Sequence, residues 1–173
     1  MTRLLVACVG NIFLGDDGFG PAVAAELQLR GLLAGLPGVR LEDYGIRSVH
    51  LVYDLLEGYD VLVLVDTVGR PDAVPGALYV IEPDLQDQHL SAVPSFDPHD
   101  LPPGGALALV PTLGGHVRRI VVVGTRPESL EEGIGLGDVV AAAVAPAAEL
   151  VAAVCRRELG APAPVHGREE VRR

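Results

Sequence analysis

Tryptophan is absent from the 173 residues and aromatic side chains make up only 4% of them, so any core the chain builds must be aliphatic. Basic residues are in deficit. Lys and Arg together number 13 against 23 Asp and Glu, giving a formal net charge of -10 and a pI of about 4.8. A chain of that sign lacks the cationic surplus that neutralises phosphates, so no nucleic acid is expected as a partner, and no anionic membrane surface. Long apolar runs are also missing. The N-terminal run stops at Gly10, and the longest apolar region, residues 139–155, is interrupted by Pro146 and Glu149, so no membrane span is expected. The N-terminus shows no cleavage-site pattern, and no signal peptide is expected. Cysteine is scarce: Cys8 and Cys155 lie far apart, each in an apolar segment. Two buried, reduced thiols are expected there rather than a disulfide, which implies a cytoplasmic protein. Neither Cys-x-x-Cys nor His-Glu-x-x-His occurs, so neither a structural zinc nor a helix-based zinc protease is expected.

What is present is a large stock of Ala, Val and Leu. Hydrophobic residues make up 49% of the chain and the mean hydropathy is +0.36, enough for one well-filled core. Residues 3–9 read as a buried strand, and residues 18 to about 33 as a helix with Pro21 in its first turn. A second strand is expected at 39–44, a short helix at 49–56, and the clearest strand, VLVLV, at 61–65. Its unbroken apolarity implies burial on both faces. Further strands are expected at 77–81 and 119–124. A polar, proline-rich loop is expected from 82 to 103 and a helix from 102 to about 113. The Ala/Val-rich segment from about 136 to 159 reads as helical, kinked or divided at Pro146. This order implies an α/β three-layer sandwich, a mostly parallel five-stranded twisted sheet with helices on both faces. Residues 1–159 are expected to form a single domain and 160–173 a flexible tail.

In open α/β sheets, sites lie beyond the carboxyl ends of the strands. The residues expected there are Asp16 and Asp17 after the first strand, Asp43 at the end of the second, Asp66 at the end of VLVLV, and His99 in the long loop. Within GNIFLGDDGFG, residues 10–20, Gly10 and Asn11 are expected to make the tight exit from the strand. Asp16 is expected to cap the helix that starts near Gly18, with Asn11 as local support. One cap suffices, which leaves Asp17 for a site. His50, His89, His116 and His166 have no comparable context and read as structural or surface residues.

Three chemistries fit such a constellation. Phosphate binding is disfavoured, because the glycine spacing is not G-x-G-x-x-G and paired carboxylates repel an anion. An aspartic-protease dyad would form if the carboxylates of Asp17 and Asp66 lay close enough to share a proton. A site of two carboxylates and one imidazole would suit a borderline divalent ion such as nickel, zinc or cobalt, held weakly by the isolated protein.

The stretches GNIFLGDDGFG, DVLVLVDTV, SFDPHDL and GTRPESLEEGIGL, in this order, resemble the hydrogenase maturation endopeptidases. These enzymes cut a short C-terminal extension from the large-subunit precursor of NiFe hydrogenase after nickel insertion. The resemblance runs over about residues 3 to 158. It implies that Asp17, Asp66 and His99 recognise nickel, with Asp17 and Asp66 also catalytic. The nickel would be carried by the precursor, and no tightly bound metal of the protein's own is implied. The family position of Asp17 accepts Glu or Asp. Where the family often has Asp-Gly-Gly-Thr, this chain has Asp43-Tyr44-Gly45-Ile46, keeping Asp43 and Gly45 as substrate-binding residues. The alternative is a non-proteolytic metal-sensing or chaperone module that docks on the same precursor.

Overall fold

The unbroken apolar run LLVACV leaves no strongly polar side chain to face water, so this strand, β1 (Leu4–Val9), is buried along its whole length. Leu4, Val6 and Cys8 join the core on one face of the sheet, and Leu5, Ala7 and Val9 the core on the other. The structure is a computed structural model that describes residues 1–69, 72–83 and 114–161. Four further strands follow: β2 (Val39–Gly45), β3 (Val61–Thr67), β4 (Leu78–Ile81) and β5 (Arg119–Thr125). They form one sheet in the order β2-β1-β3-β5-β4. β1, β2, β3 and β5 run parallel, and β4 pairs antiparallel with β5 at the edge. The expected five-stranded, mostly parallel α/β architecture is the one observed.

Among the described residues, three helices flank the sheet: α1 (Phe19–Leu29), α2 (Ser48–Leu56) and α3 (Asp138–Leu159). Phe19, Val23, Ala24 and Leu27 of α1 share one core with Val140, Ala143, Val151 and Cys155 of α3. Leu51, Val52 and Leu55 of α2 fill the opposite core. This split follows from topology. The chain winds one way from β1 to β2 and back across β1 to reach β3. Strand–helix–strand crossovers keep one hand, so reversing direction moves the helix to the other face.

Two helix expectations are corrected. The first helix ends at Leu29, not near residue 33, because Gly31 turns left-handed (φ +60°). Leu32, Leu33 and Leu36, which carry the helical spacing onward, pack against the core from the turn instead. Pro146 does not divide the last helix, which is continuous over 22 residues. Pro146 lies on the exposed face, where water can satisfy the carbonyl its ring deprives of a partner, while Ala143, Ala147 and Ala148 hold the buried face on the sheet. This helix is also long and apolar enough to cross a membrane by length and composition, contrary to the expectation from its interruptions. Its buried stripe against the sheet and α1 gives it the place of a core helix. The helix expected at 102–113 and the tail beyond 161 lie outside the described residues.

α1 presses closely on the strands it covers. A Cβ placed on Gly20 would lie 2.0 Å from the Val9 carbonyl oxygen and 2.8 Å from that of Val65. Alanine ordinarily favours a helix over glycine by about 1 kcal/mol. Here the backbone contact decides the sign, and Gly20→Ala is expected to destabilise the protein by ~2 kcal/mol through displacement of α1. Urea denaturation of the variant checks this.

Candidate active site at the carboxyl edge

Residues 15–18, GDDG, form a single 3-10 turn between β1 and α1. Such a turn has three residues per revolution, so consecutive side chains point about 120° apart. The two adjacent aspartates are therefore sent in different directions.

Asp16 turns inward and is 1% exposed. Its Oδ2 accepts the backbone N–H groups of Glu128 (2.7 Å) and Ser129 (3.0 Å), and its Oδ1 that of Gly137 (2.8 Å). It makes no cap on the turn or on α1, which corrects the expectation of local capping. The donors come instead from the loop between β5 and α3, so Asp16 ties the sheet's carboxyl edge to the start of α3. Burial pushes its pKa up, but the three backbone donors from Ser129, Gly137 and Glu128 outweigh that and hold it below the usual carboxylate range.

Asp17 faces the strand ends. Its Oδ2 accepts the N–H of Asn11 at 2.8 Å, and its Oδ1 accepts the hydroxyl of Thr67 at 3.2 Å. Asn11 supports the same loop by accepting the Phe13 N–H at its side-chain oxygen, 3.0 Å away. Gly10 makes the tight exit possible: its φ is +142°, and a Cβ there would lie 1.9 Å from the Asp17 carbonyl oxygen.

Asp66, at the end of β3, accepts the N–H of Thr67 on Oδ1 at 2.7 Å. Its pKa is pushed up to about 7, first by burial and then by the charge of Asp17, against the lowering effect of the Thr67 hydrogen bonds. β1 and β3 are neighbours at the point where the winding reverses, so both carboxylates lie at the topological switch point of the sheet, near enough for the charge of Asp17 to act on Asp66. Among the described residues no three His, Cys, Asp or Glu side chains cluster as a metal site. Asp17 and Asp66 stand as a pair.

The other expected residues fare differently. Asp43 is exposed, and its carboxylate accepts the N–H of Gly45 at 2.9 Å, closing β2. The carbonyl of Gly45 in turn accepts the N–H of Gly10 at 3.0 Å. Asp43 and Gly45 thus border the loop that carries Asp17. The β1–β2 register shifts here, leaving Tyr44 as an extra residue. Tyr44 is buried, with its hydroxyl 2.5 Å from the Asp54 carboxylate on α2, so it belongs to the core and to the packing of α2. Ile46 is 68% exposed at the same edge. His50 and His116 are exposed, as expected of surface residues. His99, and with it His89 and His166, lies outside the described residues.

Sequence reasoning passed over Thr67 and gave no role to the 128–137 loop. The threonine was visible only as the residue after Asp66, with nothing in its spacing to tie it to Asp17. An open groove of about 280 Å³ lies between Val68–Gly69 and the 126–130 segment, two residues along the chain from Asp66. One wall of it is the loop that Asp16 fixes.

Asp16→Asn would set an amide N–H against backbone N–H donors. A loss of about 3 kcal/mol is expected at neutral pH, from lost charge-assisted bonds and unpaired buried donors. Because the folded pKa of Asp16 is depressed, its contribution is present above the ordinary carboxylate range and is lost as pH falls through the folded value. Denaturation curves of the two proteins should therefore converge in acid. Asp66 has the opposite sign. Its folded pKa is raised, so its stabilising proton uptake is full below about 4 and is lost as pH rises towards about 7. Asp66→Asn should gain stability relative to the parent across that window, as read by urea titrations at successive pH values.

Comparison with known proteins bears on the family and the fold. The family model described as HycI, hydrogenase maturation protease, matches residues 21–154. The chain is 31% identical over 156 residues to the hydrogenase 2 maturation protease of Escherichia coli strain K12, a match covering 89% of this chain and 91% of that protein. It is 32% identical over 159 residues to the hydrogenase expression/formation protein HoxM of Cupriavidus necator, covering 90% of this chain and 75% of that one. Among solved structures, the hydrogenase maturating endopeptidase HybD from Escherichia coli aligns with a TM-score of 0.73 at 28% identity, over 91% of this chain and 94% of that one. The chain belongs to the hydrogenase maturation protease family, and it is a peptidase.

Proposed function

We propose that this peptidase removes the C-terminal extension of a NiFe hydrogenase large-subunit precursor after nickel insertion, and that it recognises the nickel the precursor carries. The observation that carries the reading is the pairing of Asp17 and Asp66 at the switch point, in a chain of this family. Two carboxylates, with His99 as the third group, form a donor set suited to a divalent ion already held by its own ligands in the substrate. The protein needs no resident metal on this reading. The groove between Val68–Gly69 and the 126–130 segment is a surface along which the precursor chain can lie.

The electrostatics support a sensor role. Without a cation, Asp66 shares its proton with bulk water near neutrality, held back by burial and by Asp17. A divalent ion between the two carboxylates would favour both anions, so docking of the loaded precursor would release a proton. The carboxylates or the substrate's nickel would then activate the attacking water. A precursor without nickel would bring two carboxylates no counter-charge. Cys8 and Cys155 are free and buried, which supports a reducing, cytoplasmic setting.

The test is to incubate the purified protein with nickel-loaded and with nickel-free precursor and follow the mass of the large subunit. Only the loaded form is expected to be shortened, with Asp17→Asn lowering the rate by about a hundredfold or more. Equal cleavage of both forms would overturn nickel recognition. A stable complex with no shortened product would favour docking without cutting.

A further inference from the structure

We propose that Thr67 is the positioning residue of this site, holding the carboxylates of Asp17 and Asp66 in one fixed arrangement. The inference rests on the reading of these two residues as the working pair. Thr67 is the only described residue that bonds to both. Its backbone N–H donates to Asp66 Oδ1 at 2.7 Å, and its hydroxyl donates to Asp17 Oδ1 at 3.2 Å.

The rest of the arrangement is rigid on one side and open on the other. Asp17 Oδ2 is held by the Asn11 N–H at 2.8 Å, so with Thr67 both its oxygens are engaged and the carboxylate cannot rotate freely. Thr67 is itself fixed at the end of β3, in register with Thr125 of β5. A β-branched residue at a strand end has few rotamers, which aims the hydroxyl without further support. Asp66 Oδ2 carries no hydrogen bond among the described residues, and that leaves an oxygen for the substrate.

Two variants separate the hydroxyl from the packing. Thr67→Val keeps the shape and the backbone N–H but removes the hydroxyl, whereas Thr67→Ser keeps the hydroxyl. On nickel-loaded precursor, Thr67→Val is expected to lower kcat about tenfold through loss of alignment. Its KM, and the activity of Thr67→Ser, should stay within about twofold of the parent. In nuclear magnetic resonance spectra, the Asp17 carboxyl carbon and the Asn11 amide should shift in Thr67→Val and remain in place in Thr67→Ser. If Thr67→Val does not fold, Thr67→Ala takes its place. An unchanged kcat in Thr67→Val, an equal loss in Thr67→Ser, or lost activity without the spectral shifts would each overturn the proposal. If the parent protein cuts neither form of precursor, the endopeptidase reading fails, and the spectra alone decide whether Thr67 holds the pair.

Discussion

The reversal of winding at β1 governs everything built on this sheet. β1 lies between β2 and β3 and pairs parallel with both. Its two neighbours are reached by crossovers on opposite faces, so the loops leaving β1 and β3 diverge and open a crevice at their carboxyl ends. The strands below that crevice are buried on both sides, which allows no polar group until the chain leaves the sheet. Asp16, Asp17 and Asp66 are the first carboxylates at those exits, and Asp16 is turned inward onto the loop before α3. The approach of Asp17 and Asp66 is thus a consequence of topology, enforced by the close fit of Gly20 against Val9 and Val65.

Two adjacent aspartates take up unlike tasks because the turn they occupy has a threefold period. Asp16 is buried, and three backbone N–H groups compensate its charge. Asp17 is held by one N–H and one hydroxyl at the edge of the crevice. The first carboxylate anchors the loop before α3; the second stays part-buried at the carboxyl edge. An exchange of these tasks would leave the 128–137 loop without its acceptor and place a fully satisfied carboxylate at the crevice, where it would have little to offer a cation.

Most of the fold was legible because its signals are local and strong. VLVLV admits no reading other than a strand covered on both faces, and the strand–helix alternation sets the parallel sheet. The errors came where tertiary packing overrides local chemistry. Pro146 reads as a breaker, yet a solvent-facing proline on a helix clamped to a sheet breaks nothing. The leucines at 32, 33 and 36 keep helical spacing but serve the core from a turn. At the site, Asp17 and Asp66 were found because the edge rule concerns strand ends. Asp16's acceptor role was not, because its partners lie more than a hundred residues away and are backbone groups, which carry no mark in a sequence. Tyr44 looked like a departure at a binding residue. Its burial against α2 shows a change in the core instead.

The raised pKa of Asp66 joins stability to the proposed function. A carboxylate in a half-buried site beside another carboxylate resists ionisation, and near neutral pH that resistance lowers the stability of the fold. An apolar residue there would remove the strain and the ligand together. The strain is relieved instead by whatever supplies positive charge between Asp17 and Asp66. A proton on Asp66 does this in part. A divalent cation serves both, so it is favoured over the proton as pH rises. On the proposed function, the site is therefore least satisfied when the substrate lacks its metal. Discrimination between the two precursor forms then needs no separate sensing element, because the desolvated Asp66 carboxylate beside Asp17 is what the loaded substrate neutralises.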